Sequence, residues 1–318
     1  MKLLVTGGYG FIGSNFINLA SQSDYKIINI DNVTYAANKN NIRVENINNI
    51  EIDIADYQNI EKTILDFKPD AIVHFAAESH VDNSIENPYI FLNTNILGTY
   101  NLLQACSKLE NNFHFIHIST DEVFGELGKE GFFHEKTNYD PKSPYSASKA
   151  SSDHLLRAWQ NTYGFPATIV NCGNNYGPNQ HKEKLIPKII TNCFSNNNIP
   201  IYGKGDQIRD WIFVEDFCRA ILLILENRKS VLNESFCIGA NQEFTNVELT
   251  EKICSIINAH FSLKHNCLDL ITYVDDRLGH DFRYAINASK IRKNLGWEPK
   301  YSFEEAIMKT IDYYKENL

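Results

Sequence analysis

The sequence predicts an α/β fold, a doubly wound parallel sheet joined to a smaller mixed α/β lobe. Three observations point to it. An aliphatic run at the amino terminus leads directly into a glycine-spaced turn and a helical pattern. Apolar runs then alternate with helical periodicities as far as Val170, the rhythm of parallel strands joined by crossover helices. Past Val170 the alternation loosens into the polar, turn-rich stretch 171–178, where a second lobe should begin.

In chain order, Lys2–Val5 reads as the first strand, followed by Thr6-Gly7-Gly8-Tyr9-Gly10-Phe11-Ile12-Gly13 and a helix through Ala20. Gly7, Gly10 and Gly13 stand in the spacing G-x-x-G-x-x-G, which lets backbone N–H groups and a helix amino terminus approach a pyrophosphate, with Phe11 and Ile12 beside it. The second strand, Lys26–Ile30, ends in Asp31, eighteen residues after Gly13, where a carboxylate can bind an adenosine ribose and disfavour a 2′-phosphate. The pattern is Rossmann-type and favours NAD over NADP. Taken singly, the glycines could be a ligand-free turn and Asp31 a cap; the conjunction of strand, glycines and acid argues against both.

A third strand closes at Asp53-Ile54, positions that commonly flank the adenine in such a fold. Ala71–Phe75 reads as a fourth, ending in Ala76-Ala77-Glu78-Ser79, small residues that would let the cofactor's phosphates and nicotinamide ribose lie close. His74 and His80 lack a carboxylate or thiolate at ligand spacing and read as packed imidazoles, so no metal is expected. Helical patterns over about Tyr89–Leu109 and Tyr145–Tyr163 lead to strands Phe113–Ile118 and Ala167–Val170. Their apolar surface, with Leu97, Leu102, Leu155 and Trp159, exceeds what one sheet face needs; it fits either ordinary packing or a dimer's four-helix bundle.

The chemistry-bearing residues cluster in 119–149. Ser119-Thr120-Asp121-Glu122 follow the fifth strand at its carboxyl end, where α/β folds bind ligands. Tyr145 and Lys149 are one helical turn apart, a spacing at which the lysine is expected to lower the phenol's pKa. Acids after a strand are often solvated, and a Tyr-x-x-x-Lys is often two surface residues. Joined to the glycine turn and Thr120, they indicate an NAD-linked oxidation site.

Ile208–Asp216, a helix to about Glu226 and a strand Glu234–Ile238 read as a return to the first lobe. The expected division is therefore an NAD-binding domain of residues 1–171 plus about 206–238, and a substrate lobe of 172–205 and 239–318. The 318 residues are 43% hydrophobic and carry a net charge of −9, which argues against nucleic acid or an anionic membrane as partner. Seven scattered cysteines without a C-x-x-C pair suggest neither disulfides nor zinc, and point to a reducing, cytoplasmic setting. No apolar run reaches the length of a membrane span.

The glycine turn and Tyr145-x-x-x-Lys149 resemble the extended short-chain dehydrogenase/reductase family. Within it the sequence is similar to the dTDP-glucose 4,6-dehydratases, through the stretches 74–82, 119–123, 144–149, 171–178, 183–187, 209–211 and 279–281, which recur in that order over nearly the whole chain. The resemblance implies NAD-dependent dehydration of a nucleoside-diphosphate hexose, dTDP-glucose first, with a UDP- or CDP-hexose as alternative. Tyr145, as a phenolate held by Lys149 and the nicotinamide charge, would take the O4 proton during oxidation at C4, with Thr120 bonded to the same oxygen. The 4-ketone acidifies C5–H, so Glu122 would act as base there while protonated Asp121 donates to the departing C6 hydroxyl. Arg209 and Lys184 are candidates for the diphosphate. By resemblance Ser79, Asn174, Leu185, Pro200, Tyr202 and His280 line the remainder, Tyr202 near the base. The chain departs from the family at Asn83 (usually arginine), Phe124 (usually tyrosine), Gly173 (commonly serine) and 179–182. A 4-epimerase or decarboxylase shares Tyr145 and Lys149 but has no need of Asp121 as an acid at C6. A catalytically silent NAD-binding sensor or scaffold has no need of the full set Thr120, Asp121, Glu122, Tyr145 and Lys149.

Overall fold

The computed structural model of the chain describes residues 1–276 and 279–318. The first strands are β1 (Lys2–Thr6), β2 (Lys26–Asp31), β3 (Asn48–Glu51), β4 (Ala71–His74), β5 (His114–Thr120) and β6 (Ala167–Cys172). With Ser235–Ile238 they form a seven-stranded sheet in which β3, β2, β1, β4, β5 and β6 lie side by side and the 235–238 strand closes the edge next to β6. Every pairing is parallel. The chain reverses its direction of winding between β1 and β4, where open α/β sheets bind ligands at the strands' carboxyl ends.

The strands are apolar on both faces because both are covered. Leu4, Ile28, Ile72, Phe115 and Ile169 pack with Ile60, Ile64, Leu102 and Leu103 from the helices at 57–67 and 99–106. On the other face Leu3, Val5, Ile27 and Ile116 pack with Phe16, Ile17, Phe217 and Ile221. The helices are α1 (Phe11–Ala20), α2 (Tyr57–Phe67), α3 (Val81–Glu86), α4 (Pro88–Phe91), α5 (Thr99–Cys106) and α6 (Pro144–Tyr163). The start of α6 is set by a capping box: Ser143 Oγ accepts from Ser146 N at 3.1 Å and Ser146 Oγ from Ser143 N at 3.0 Å. Pro144 occupies its first position and so places Tyr145 in its first turn.

The helix expected over Tyr89–Leu109 is interrupted. Between α4 and α5 the turn Leu92–Gly98 is π-helical, widened by an extra residue, and the helix ends at Cys106. The third strand also ends earlier than expected, at Glu51, so Asp53 and Ile54 lie in the loop after it.

At Cys172 the chain leaves the large sheet, and β7 (Asn174–Tyr176) begins after the single residue Gly173, whose N–H donates to Ile238 O at 3.0 Å. The rest of the chain forms α7 (Leu185–Ser195), β8 (Ile199–Tyr202), β9 (Ile208–Phe213), α8 (Val214–Glu226), β10 (the 235–238 strand), β11 (Glu243–Thr245), α9 (Asn246–His260), β12 (Ile271–Val274), α10 (Ser289–Leu295) and α11 (Phe303–Glu316). Of the segment expected to return to the first lobe, α8 packs on α1 and β10 joins the large sheet. Strand β9 instead lies in a separate three-stranded sheet between β11 and β7. Its apolar run Trp211-Ile212-Phe213 is buried there as fully as in a Rossmann sheet, so hydrophobicity alone does not distinguish the two positions.

Candidate active site

One elongated pocket runs along the carboxyl ends of β1, β2, β4 and β5. Its wall includes Gly7, Gly10, Phe11, Ile12 and Gly13 from the first turn, then Asp31, Asp53 and Ile54, and Ala76, Ala77 and Ser79 after β4. Ser119, Thr120, Asp121, Glu122, Tyr145, Lys149, Asn174 and Lys184 complete it. All the expected catalytic and cofactor residues thus share one cleft. Leu185, Pro200, Tyr202, Arg209 and His280 lie outside its wall.

The glycine turn leaves room only for backbone. Gly7 has φ +73° and a Cβ there would stand 2.6 Å from Ala76 N, while a Cβ on Gly13 would stand 2.2 Å from Gly7 O. This cradle beside the amino end of α1 fits a pyrophosphate. Asp31 is held by two amides, Tyr9 N at 2.8 Å to Oδ2 and Val33 N at 2.7 Å to Oδ1. Burial raises its pKa, and the two amides oppose that rise. Asp53 accepts from Asn32 Nδ2 at 2.9 Å and from Ala55 N at 2.8 Å, which aims it at the adenosine end of the groove. An acid at the end of β2, a Cβ-free cradle and two alanines opposite are the features an NAD molecule requires.

Across the groove Lys149 donates from Nζ to Ile118 O at 2.8 Å, fixing the helix to the strand that carries the acids. Thr120 Oγ1 donates to Asp121 Oδ1 at 3.2 Å and accepts from Glu122 N at 3.3 Å. Burial raises the Asp121 carboxyl well above the usual carboxylate range, and the charge of Glu122 adds to the rise.

Tyr145 runs against the sequence-based expectation that its lysine lowers it. Burial pushes the phenol well above its ordinary value, and Glu122 adds to that, against a lowering hydrogen bond from Thr120. Burial also pulls Lys149 down, to about 8. A desolvated pair of this kind does not ionise the phenol unaided; positive charge has to be brought in beside it.

In the second lobe, Tyr202 at the end of β8 meets His280 edge-on, ring centroids 6.4 Å apart, and His280 Nδ1 lies 2.7 Å from Asp276 Oδ1. Pro200 is held in the β8–β12 pair opposite Thr272. Arg209 is 5% exposed; its guanidinium donates to the carbonyls of Ile208 (2.8 Å), Asp281 (2.9 Å) and Phe282 (3.3 Å) and lies 4.2 Å from the Tyr284 ring centroid. Lys184 Nζ donates to Ser79 O at 3.1 Å across the cleft, and Leu185 begins α7. Asn83 Nδ2 donates to Tyr35 OH, which donates to Glu183 Oε1, so this departure from the family ties loop 32–38 to loop 181–184.

Two residues escaped sequence reasoning. Asn95, in the π turn, accepts from Glu78 N at 2.9 Å and donates to Glu78 O at 3.0 Å and Ser148 Oγ at 2.8 Å, joining the wall after β4 to the catalytic helix. Its polarity inside an apolar helical pattern was the available signal. Asp153, one turn after Lys149 and fully buried, was the other, signalled by an acid on a helix face otherwise made of Ser148, Ser152 and Leu156. His74 is buried between Thr6 Oγ1 (2.7 Å) and Thr99 Oγ1 (3.0 Å), a packed imidazole as expected.

A parallel sheet opening on a glycine cradle, with a Tyr-x-x-x-Lys helix facing a Thr-bearing strand end, defines the class of extended short-chain dehydrogenases/reductases. Comparison with known proteins narrows it. The chain belongs to the GDP-mannose 4,6 dehydratase family, whose profile matches residues 4–310. Among curated relatives it is 45% identical to a dTDP-glucose 4,6-dehydratase of Xanthomonas campestris pv. campestris strain B100, over 99% of this chain and 93% of the relative. It is likewise 45% identical to one of Salmonella typhimurium, over 100% of this chain and 93% of the relative. The crystal structure of the Streptomyces venezuelae dTDP-glucose 4,6-dehydratase DesIV, with NAD bound, superposes with TM-score 0.92 at 39% identity, over 100% of this chain and 98% of that one. A Thermotoga maritima UDP-glucose 4-epimerase is similar in fold, TM-score 0.90 at 29% identity, over 100% and 99% of the two chains.

Proposed function

We propose that the protein is an NAD-dependent nucleotide-sugar 4,6-dehydratase, a hydro-lyase converting dTDP-glucose to dTDP-4-keto-6-deoxy-glucose and water. The observation that carries this reading is the buried acid Asp121 beside Glu122, at the strand end facing Tyr145 and Lys149. Oxidation and re-reduction at one carbon, as in epimerisation, would use Tyr145 and Lys149 alone; loss of water needs a proton donor for the leaving oxygen and a base for the adjacent C–H. The names of the full-length relatives support the same substrate.

Gly7, Gly10, Gly13, Asp31, Asp53, Ala76 and Ala77 would hold the cofactor. NAD, when bound, accepts hydrogen with its electron pair from C4 and returns it at C6. Thr120 orients the O4 hydroxyl and Tyr145 takes its proton, ionising only with positive charge beside it, while Lys149 holds charge on the far side of the ring. The ketone now at C4 acidifies the C5 hydrogen, and Glu122 removes it. Asp121, resting protonated, gives its proton to the C6 oxygen as water leaves, and as hydride returns to C6 the proton held by Glu122 goes back to C5. Two adjacent carboxyls in one buried site suit one acid and one base because repulsion disfavours a double negative charge.

The division of labour proposed for the chain follows the two lobes: residues 1–171 with 206–238 hold NAD, and 172–205 with 239–318 hold the nucleotide sugar. Lys184 and the free amide end of α7 suit the diphosphate. Pro200, Tyr202 and His280 suit the base, and Arg209 brings positive charge near the acids. The apolar side chains Tyr89, Leu92, Leu97, Tyr100 and Tyr163, from 37% to 71% exposed, support a homodimer through the helices of 88–106 and α6. Light scattering on the purified protein tests this; a monomer at micromolar concentration rejects it. Seven free, buried cysteines fit a cytoplasmic setting. Among the described residues no helix is long and apolar enough to cross a membrane.

The deciding experiment is incubation with dTDP-glucose, read by the alkali-induced absorbance of a 4-keto-6-deoxy sugar. A 4-epimer in its place would reject dehydration, and turnover of UDP- or CDP-hexose in preference would move the substrate.

A further inference from the structure

Beneath the Tyr145–Lys149 pair lies a buried polar cluster that the dehydration chemistry does not use. At its centre Asp153, 0% exposed, accepts from Ser119 Oγ and Tyr139 OH, both at 2.8 Å to Oδ2, and from Asn171 Nδ2 at 3.3 Å. His117 Nε2 lies 3.1 Å from its other oxygen, Oδ1. The donors come from β5, β6 and the loop before α6, so the carboxylate is pinned by three elements besides its own helix. Asp153 follows Lys149 by four residues, which puts both on one face of α6.

A carboxylate in so dry a place has a high desolvation cost, and a cation nearby offsets part of it. Burial acts to raise its pKa, yet the approach of His117, the Lys149 charge and the Tyr139 donor hold it below the usual range. It is therefore an anion. His74 and His117, whose rings are 5.2 Å apart, are both pushed toward the neutral form by burial. The Cys172 thiol on β6 is pushed up to about 12 by burial, and the Tyr139 phenol is pushed up likewise. A second cation, Arg157, stacks on Tyr139 at 5.6 Å and donates from Nη2 to its hydroxyl at 3.4 Å, and His154 meets the same ring at 5.2 Å. Tyr145, Asp121 and Glu122 line the cleft together with Lys149. Burial depresses Lys149, and Asp153 is the largest influence acting against that depression.

We propose that Asp153 is a positioning residue of the oxidation step, the fixed buried anion that keeps the Lys149 ammonium charged beneath Tyr145. Nothing in the cluster touches the reacting atoms; Asp153 acts through Lys149, and Lys149 through the phenol. The inference rests on the Tyr145–Lys149 oxidation proposed above.

The test is the pH profile of kcat/KM for dTDP-glucose with the NAD-loaded enzyme, which reports the essential acid and base of the free holoenzyme. Asp153→Asn keeps the shape and removes the charge. Without it Lys149 loses its proton at lower pH, so the bell narrows from its alkaline side, that limb moving down by about one pH unit. Tyr139→Phe removes a hydrogen bond from the same cluster while leaving the carboxylate, and should lower the melting temperature without moving either limb. Asp153→Glu retains the charge and should keep the parent's limbs. If Asp153→Asn does not fold, Asp153→Ser, small enough to admit a water, carries the same expected narrowing. Limbs unmoved in the charge-removing variant overturn the proposal, as does equal narrowing in Tyr139→Phe, which would assign the effect to packing. A parent enzyme that produces no 4-keto sugar at any pH would overturn the dehydratase reading instead.

Discussion

The Thr120 hydroxyl donates to Oδ1 of Asp121 at 3.2 Å, while Oδ2 of the same carboxyl is buried with no hydrogen-bond partner among the described residues. A protonated carboxyl accepting on one oxygen carries its hydrogen on the other. In the proposed dehydration the proton would then sit on the oxygen that no described protein group occupies, and Thr120, proposed to steady O4, would bond the acid proposed to serve C6 directly.

Replacing Asp121 by Asn keeps the shape and withdraws the proton. The variant should still oxidise C4 but lose water slowly, with kcat lower by about 10²–10⁴-fold. NADH absorbance on mixing with dTDP-glucose should rise and persist. Turnover equal to the parent's would remove Asp121 from the role of acid.

Tyr145→Phe removes the group that takes the O4 proton, so neither NADH absorbance nor keto sugar should appear, a loss of about 10²–10⁴-fold or more. Residual oxidation at the parent's rate would place the base elsewhere.

The pH dependence follows from Lys149. Its pKa is lowered by burial to about 8, so the ammonium is present below that pH and lost above it. Activity should therefore fall as pH rises through about 8, far below the pH at which an exposed lysine would titrate. An alkaline limb near 10 would show that the ammonium is not required.

Asn95→Ala removes the side chain that pairs Glu78 N and Glu78 O, while Ser148 Oγ keeps its bond to Tyr145 O. Each buried group left without a partner costs about 1–3 kcal/mol, so the melting temperature should fall. Because the lost clamp joins the cofactor wall to the catalytic helix, NAD should also dissociate faster, measured by dilution of the loaded enzyme. Unchanged cofactor release with lowered stability would confine Asn95 to a structural role.

The cofactor half of the site was legible in the sequence because its requirements are local. Gly13 is demanded by Gly7 O, 2.2 Å from where a Cβ would stand within the same turn, Gly7 by its φ of +73°, and Asp31 by its place at a strand end. Tyr145 and Lys149 were legible from helical spacing. What escaped depends on tertiary surroundings. The direction of the Tyr145 shift is set by burial and by Glu122, against a lowering hydrogen bond from Thr120. The placement of β9 in a second sheet is decided by its partners β7 and β11, not by its own apolar run. The break in the 89–109 helix follows from a π turn that brings Asn95 inward, which no periodicity of 3.6 anticipates. Arg209 was singled out for its charge; its three carbonyl acceptors come from residues 208, 281 and 282, two of them remote in sequence.

The chain first passes from the large sheet to the small one through the single residue Gly173. It returns to the large sheet at β10 and leaves it again between Ile238 and Glu243. Two crossings therefore stitch the sheets together, so a graft that exchanged only the residues after Gly173 would also strip a strand from the large sheet, and redirecting this chemistry to a new nucleotide sugar calls for exchanging the segments 174–213 and 239–318 while leaving α8 and β10 in place.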